Sequence, residues 1–174
     1  SGSGARVTAE SALNVTTVLA CCKVIAEGVS QVPFKLYRDG SARTDASDHP
    51  LFDMIYRAPN AYQTSFEFRE TVMFHVLLTG NAFVHILRVG MARRVASLEL
   101  LDPKRVTVER KSDGKIRYLY QPETGSRTEI PSSDVWHIRG PSWNSWMGME
   151  AVKLAREAIG LAMATEASQA DFHR

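Results

Sequence analysis

The sequence predicts an α+β fold in which N-terminal helices pack on a mostly antiparallel β-sheet and a long alanine-rich helix follows at the C-terminus. Three observations lead there. Apolar residues recur at steps of three and four near the N-terminus, short alternating segments divided by turn residues fill the stretch from Ala82 to Arg139, and seven alanines lie between Ala151 and Ala170. A chain of 174 residues supports one sizeable core. We divide it into a four-residue expression linker, Ser1-Gly2-Ser3-Gly4, an α+β domain over 5–148 and the C-terminal helix over 149–174. Arg174 falls inside a helical pattern, which predicts a continuation beyond it.

Val15, Val18, Cys22, Ile25 and Val29 share one helical face, so a helix is expected from Val15 to Val29 with Asn14 as its N-cap and Gly28 with Pro33 marking its end. Pro33 to Arg38 alternates as a strand, Asp39-Gly40 turns, and residues 40–48 read as an exposed loop. His49-Pro50 opens a short helix with Leu51, Met54 and Ile55 inward, and Ala58-Pro59-Asn60 closes it. Thr64-Ser65-Phe66-Glu67 is a capping box for a helix reaching Thr79, where Gly80 supplies the left-handed cap and Asn81 leads into a strand over Ala82–Val89. Further strands are expected over 95–101, 105–110, 116–121, 127–130 and 135–139, with Asp113-Gly114 turning a hairpin and Trp136 pointing into the core. A helix from Met149 to the chain end would span roughly 35 Å at 1.5 Å per residue.

Composition excludes several classes of function. Hydrophobic residues at 44% and charged residues at 23% describe an ordinary folded chain, and no apolar run approaches the length that crosses a membrane. Cys21 and Cys22 are adjacent in a helix, which suits neither a long-range disulfide nor a metal site and suggests a reducing compartment. Phosphate-binding, zinc-hydrolase and serine-nucleophile motifs are missing, His75 and His137 sit in apolar surroundings, and no cofactor or catalytic role is implied. Net charge is +2, yet residues 88–117 hold nine basic against four acidic side chains. Within them Arg93, Arg94, Lys104, Arg105, Arg110 and Lys111 are candidates for DNA or protein contact, either as a small nucleic-acid-binding module or as a solvated face. Trp143 and Trp146 lie in a loop where exposed aromatic rings can anchor a partner.

Several segments occur together in a recognisable order: Val18-Leu19-Ala20-Cys21, Val32-Pro33-Phe34-Lys35-Leu36-Tyr37, His49-Pro50-Leu51, Pro59-Asn60, Phe66-Glu67-Phe68-Arg69-Glu70, Gly80-Asn81-Ala82-Phe83, Leu101-Asp102-Pro103, Asp134-Val135-Trp136-His137-Ile138-Arg139 and Gly148. In this the chain resembles portal proteins of tailed bacteriophages of the Hong Kong 97 type, over nearly its whole length. The resemblance implies the N-terminal, wing portion of a non-enzymatic structural subunit, set in a homo-oligomeric ring of about twelve copies at one capsid vertex. It implies double-stranded DNA passing through the channel of the full ring, with terminase, the major capsid protein and a head-tail adaptor as partners and no membrane. The expected location is the virion, after assembly in the host bacterial cytoplasm from a phage or prophage gene. Gly80, Asn81, Pro33, Pro59 and Trp136 are then architectural residues. Met149-Glu150 departs from the small residue and proline that often follow Gly148 in that family.

Overall fold

The computed structural model describes residues 7–40 and 43–172, so the linker expected at residues 1–4 lies outside it. A short helix α1 (Ala9–Ala12) comes first, closed by a capping box in which the Ser11 backbone N–H donates to Thr8 Oγ1 at 3.1 Å and the Thr8 N–H to Ser11 Oγ at 2.7 Å. Sequence periodicity does not show this helix, and it alters the start of the next. The turn leaving α1 uses Asn14, whose N–H donates to the Ser11 carbonyl, so α2 (Thr16–Gln31) is capped by Val15 without a side-chain bond. Helix α2 runs through Gly28 and buries Cys22, Ala26 and Ser30, while Ile25 and Val29 of the expected apolar face stay exposed. Pro33 follows Val32, the C-cap, and is itself exposed.

The expected strand over 33–38 shrinks to β1 (Tyr37–Arg38), paired antiparallel with β2 (Thr44–Asp45) inside the expected loop. Helix α3 (Leu51–Tyr56) buries Phe52 against the Tyr56 ring and leaves Leu51, Met54 and Ile55 half-buried. The loop after it is tied to the sheet, because the Pro59 carbonyl accepts from the Leu98 N–H at 2.9 Å and Asn60 Nδ2 donates to the Leu98 carbonyl at 3.0 Å. Helix α4 (Ser65–Thr79) begins with the expected capping box, Glu67 accepting from the Thr64 N–H at 2.7 Å, and ends on Gly80 with φ of 77°. Those backbone and hydroxyl bonds hold the Glu67 carboxyl below the usual carboxylate range.

The remaining strands form two three-stranded antiparallel sheets instead of one. In the first, β3 (Asn81–Val89) lies between β4 (Arg94–Leu101) and β8 (Val135–Arg139). The second, β5 (Val106–Arg110), β6 (Ile116–Tyr120) and β7 (Thr128–Ile130), is inserted between β4 and β8. Gly114, at φ of 81°, turns the β5–β6 hairpin as its Asp-Gly signal predicts. Tyr118 faces inward between Ile116 and Tyr120 and packs with Phe83, Leu101, Ile130 and Val135 where the two sheets meet. The other side of the first sheet packs on α4 through Phe68, Val72, Ala82, Val84 and Leu98. Trp136 does not reach a core: β8 is an edge strand, and the side chain is 41% exposed.

At the C-terminus a single helix is replaced by α5 (Ala151–Leu154) and α6 (Arg156–Phe172), separated at Ala155, whose ψ of 11° interrupts the repeat. Val152 and Ile159 lie on either side of the break and are both buried against Ala12, Val15, Cys22 and Leu78. The segment is thus held to the N-terminal helices by two anchors, and the uninterrupted long helix expected from Met149 is not formed. No helix among the described residues is long and apolar enough to cross a membrane.

Candidate functional site

The densest polar constellation lies where α4 hands the chain to β3. Gly80 is required there twice over. Its φ of 77° suits glycine, and a Cβ would stand 2.2 Å from the Met149 carbonyl oxygen. Across the same gap a Cβ on Gly148 would stand 1.8 Å from the Gly80 carbonyl oxygen, so two backbones cross with no room for a side chain on either. The Gly80 carbonyl accepts from the Gly140 N–H at 2.9 Å. Beside it the Asn81 side chain behaves like a backbone amide of an extra strand: Oδ1 accepts from the Gly148 N–H at 2.8 Å, and Nδ2 donates to the Gly148 carbonyl at 3.2 Å and the Thr79 carbonyl at 3.0 Å.

Asn81 Oδ1 is also 3.0 Å from His137 Nε2, and since that oxygen only accepts, His137 carries its proton on Nε2. Its Nδ1 then accepts from the Tyr118 hydroxyl at 3.3 Å. The imidazole packs on the Phe83 ring at 4.4 Å and edge-on to Tyr118 at 5.7 Å. Burial, helped by the charge of Arg139, pushes its pKa down to about 4. A neutral histidine locked between an amide and a phenol is a strut joining β8, β3 and β6. No nucleophile adjoins it, and no three or more His, Cys, Asp or Glu side chains gather as a metal site among the described residues. What this constellation does is hold the 141–149 loop, and with it the direction in which the C-terminal helices leave. Within that loop Asn144 Oδ1 accepts from the Trp146 and Met147 N–H groups, leaving Trp143 92% exposed.

The six basic candidates are spread over three places. Arg93 and Arg94 lie at the β3–β4 turn, Lys104 and Arg105 in the 3-10 turn after β4, and Arg110 and Lys111 at the β5–β6 hairpin. Arg93, at φ of 47°, binds Asp134 through both carboxylate oxygens at 2.8 and 2.6 Å, and Arg88 joins the same carboxylate at 3.0 Å. The Arg93 bond, then that of Arg88, keep the Asp134 carboxyl below its ordinary range. Lys104 pairs with Glu10, Arg105 with Glu123 at 3.1 Å and Lys111 with Glu129 at 3.8 Å. Only Arg94 and Arg110 of the six lack an ion-pair partner among the described residues.

The description "Phage portal protein" belongs to the family whose model matches residues 16–174. The chain belongs to the phage portal protein family. Among its relatives, the portal protein of Enterobacteria phage HK97 is 27% identical over 94% of this chain and 38% of its own length. Two solved structures share the fold. A chain from the neck of the empty gene transfer agent particle, computed with C6 symmetry, has a TM-score of 0.73 at 24% identity over 88% of this chain and 42% of its own. A chain from the neck of the native particle, computed with C12 symmetry, has a TM-score of 0.69 at 22% identity over 90% of this chain and 41% of its own. This portal-family chain therefore spans well under half the length of these relatives.

The structure brings Gly80 and Asn81 together with Gly148, His137 and Tyr118, while Pro33, Pro59 and Trp136 stand apart from them. Sequence reasoning found the glycine cap and missed the crossing. Nothing in the spacing of Asn81 and Gly148, 67 residues apart, announces a contact. One signal was available, since a glycine in a tryptophan-rich loop ahead of a helix marks a close backbone approach as readily as a turn.

Proposed function

We propose that this portal-family chain is the wing portion of a non-catalytic structural subunit of a portal ring, located at the neck of a phage-like particle. The full subunit oligomerises, in about twelve copies, around a channel through which double-stranded DNA is packaged and ejected. On the same reading the ring meets terminase, the major capsid protein and a head-tail adaptor. The observation that carries the proposal is the family match over 16–174, taken with the C12 neck particle in which a chain of the same fold occurs. Electron microscopy of the complete gene product that contains this chain is expected to reveal a cyclic oligomer, and a strictly monomeric product would refute the reading.

The alternative, a nucleic-acid module built on 88–117, draws support from charge alone, and the ion pairs at Arg93, Lys104, Arg105 and Lys111 already occupy most of it. A phosphate-binding face gives an affinity for duplex DNA that falls steeply with salt. The ring reading expects no such affinity from this chain.

A further inference from the structure

The break between α5 and α6 has no local cause. Helices kink at proline, at glycine or serine pairs, at π-bulges or where a side chain enters the hydrogen-bond ladder. Residues 151–159 read Ala-Val-Lys-Leu-Ala-Arg-Glu-Ala-Ile, and the residue at the break, Ala155, is of the type that favours a helix most. Its φ of −92° and ψ of 11° place it in the sparsely populated bridge region. Both helices finish on it: its N–H donates to the Ala151 carbonyl at 2.9 Å, and its carbonyl accepts from the Ile159 N–H at 3.0 Å.

Packing supplies the cause. Val152 and Ile159 are buried in one cluster with Ala12, Val15, Cys22 and Leu78, and all six residues between them, 153–158, are exposed. In a straight helix Ala155 and Arg156 would share the face of Val152 and Ile159, which would stand about 10.5 Å apart, and would be covered with them. Their exposure means that the chain arches away from the core between two anchors. A cavity of about 300 Å³ borders the arch, lined by Val152 and Arg156 together with Ala9 and Leu78. The anchors differ in kind. Val152 follows the Gly80–Gly148 crossing by four residues and is fixed by it, whereas Ile159 holds α6 with the partly buried Ala162 and Met163. Lys153 Nζ reaches back to Glu150 at 4.0 Å, while Glu157, its natural i+4 partner in a straight helix, has no ion-pair partner among the described residues.

We infer that Ala155 is a hinge with Ile159 as its latch: with Ile159 seated the chain bends there, and with Ile159 released α5 and α6 join as one straight helix that carries α6 in a new direction. The released state has its own gains. Arg156, Glu157 and Ala158 open α6, so their N–H groups have no acceptor inside that helix. In the straight helix they bond the carbonyls of Val152, Lys153 and Leu154, and Lys153 meets Glu157. The bent state sets the burial of Ile159 against those bonds, so unseating one side chain shifts the balance. The inference goes beyond the ring reading and stands without it.

Hydrogen exchange followed by NMR on the 174-residue chain tests the latch. Ile159→Ala removes a core contact, yet is expected to slow exchange of the Arg156, Glu157 and Ala158 amides about tenfold and to move the Ala155 Cα chemical shift toward its helical value. Adding Glu157→Lys, which sets like charges at i and i+4 only in the straight helix, speeds that exchange again by about twofold. Ile159→Val keeps the test decisive if Ile159→Ala fails to fold, with an expected slowing of about threefold. Equal or faster exchange of these amides, in whichever variant folds, means that α6 frays instead of straightening and overturns the hinge. Slowing that Glu157→Lys leaves unchanged overturns it as well, because the new protection then has another source.

Discussion

The two sides of α4 are finished to different degrees. At its C-terminal end the Gly80–Gly148 crossing has no spare volume, and each hydrogen-bonding atom of the Asn81 side chain is paired. Along its N-terminal half the helix borders a groove whose apolar lining is partly exposed and whose Arg69 keeps an unpaired nitrogen. A polar junction satisfied inside one chain specifies that chain's own geometry. An apolar groove with exposed rim residues is not closed by the chain's described residues. The difference separates a junction the fold completes from apolar surface the fold leaves partly exposed.

The sharpest way to break that comparison is Gly148→Ala. Its Cβ meets backbone at 1.8 Å, which no rotamer change relieves, so a loss of about 4 kcal/mol or more in urea unfolding is expected. An unchanged midpoint would mean that the crossing is not rigid. Asn81→Ala comes next. It strands the buried Gly148 N–H and carbonyl and removes the His137 partner, for a cost of about 3 kcal/mol by the same measurement.

His137 adds a pH dependence to the junction. Its folded pKa, about 4, lies below the unfolded value of 6.5, so the unfolded chain takes up the proton first as pH falls. The stabilisation is complete above 6.5, declines between 6.5 and about 4, and changes no further below that. Allowing for partial solvent screening, roughly 2 kcal/mol is at stake. Unfolding midpoints across that window are expected to flatten in His137→Gln. The depressed Glu67 and Asp134 carboxyls act in a lower window, their contributions being present above the unfolded carboxylate pKa and lost as pH falls through the folded one. The smallest effect belongs to the groove. Phe34→Ser, at a rim position 51% exposed, should cost less than about 1 kcal/mol in urea unfolding. A loss as large as that of Asn81→Ala would show that the rim belongs to the fold.

Much of this was legible in the residues. The Thr64–Glu67 box, the Gly80 cap, the Asp113-Gly114 hairpin and the strands from 81 to 139 depend on near neighbours in the chain, where dihedral preference and period-two alternation act directly. Family resemblance followed from the order of those local pieces. The failures share a cause. Asn14 lost its cap role to a helix the periodicity does not show, Pro33 to Arg38 alternates without a long partner strand, and Trp136 follows an inward pattern on an edge strand that leaves it 41% exposed.

By itself the sequence determined the α+β class, the positions of most helices and strands and the membership of the portal family, because each rests on propensities and motifs written within a few residues. Only the tertiary structure decided that strands β3 to β8 divide into two sheets, that the basic residues are mostly paired, that the final helix breaks at Ala155 and that Asn81 grips Gly148. Those outcomes depend on which distant surfaces meet, and a backbone crossing of two glycines 68 residues apart leaves no periodic trace in either segment.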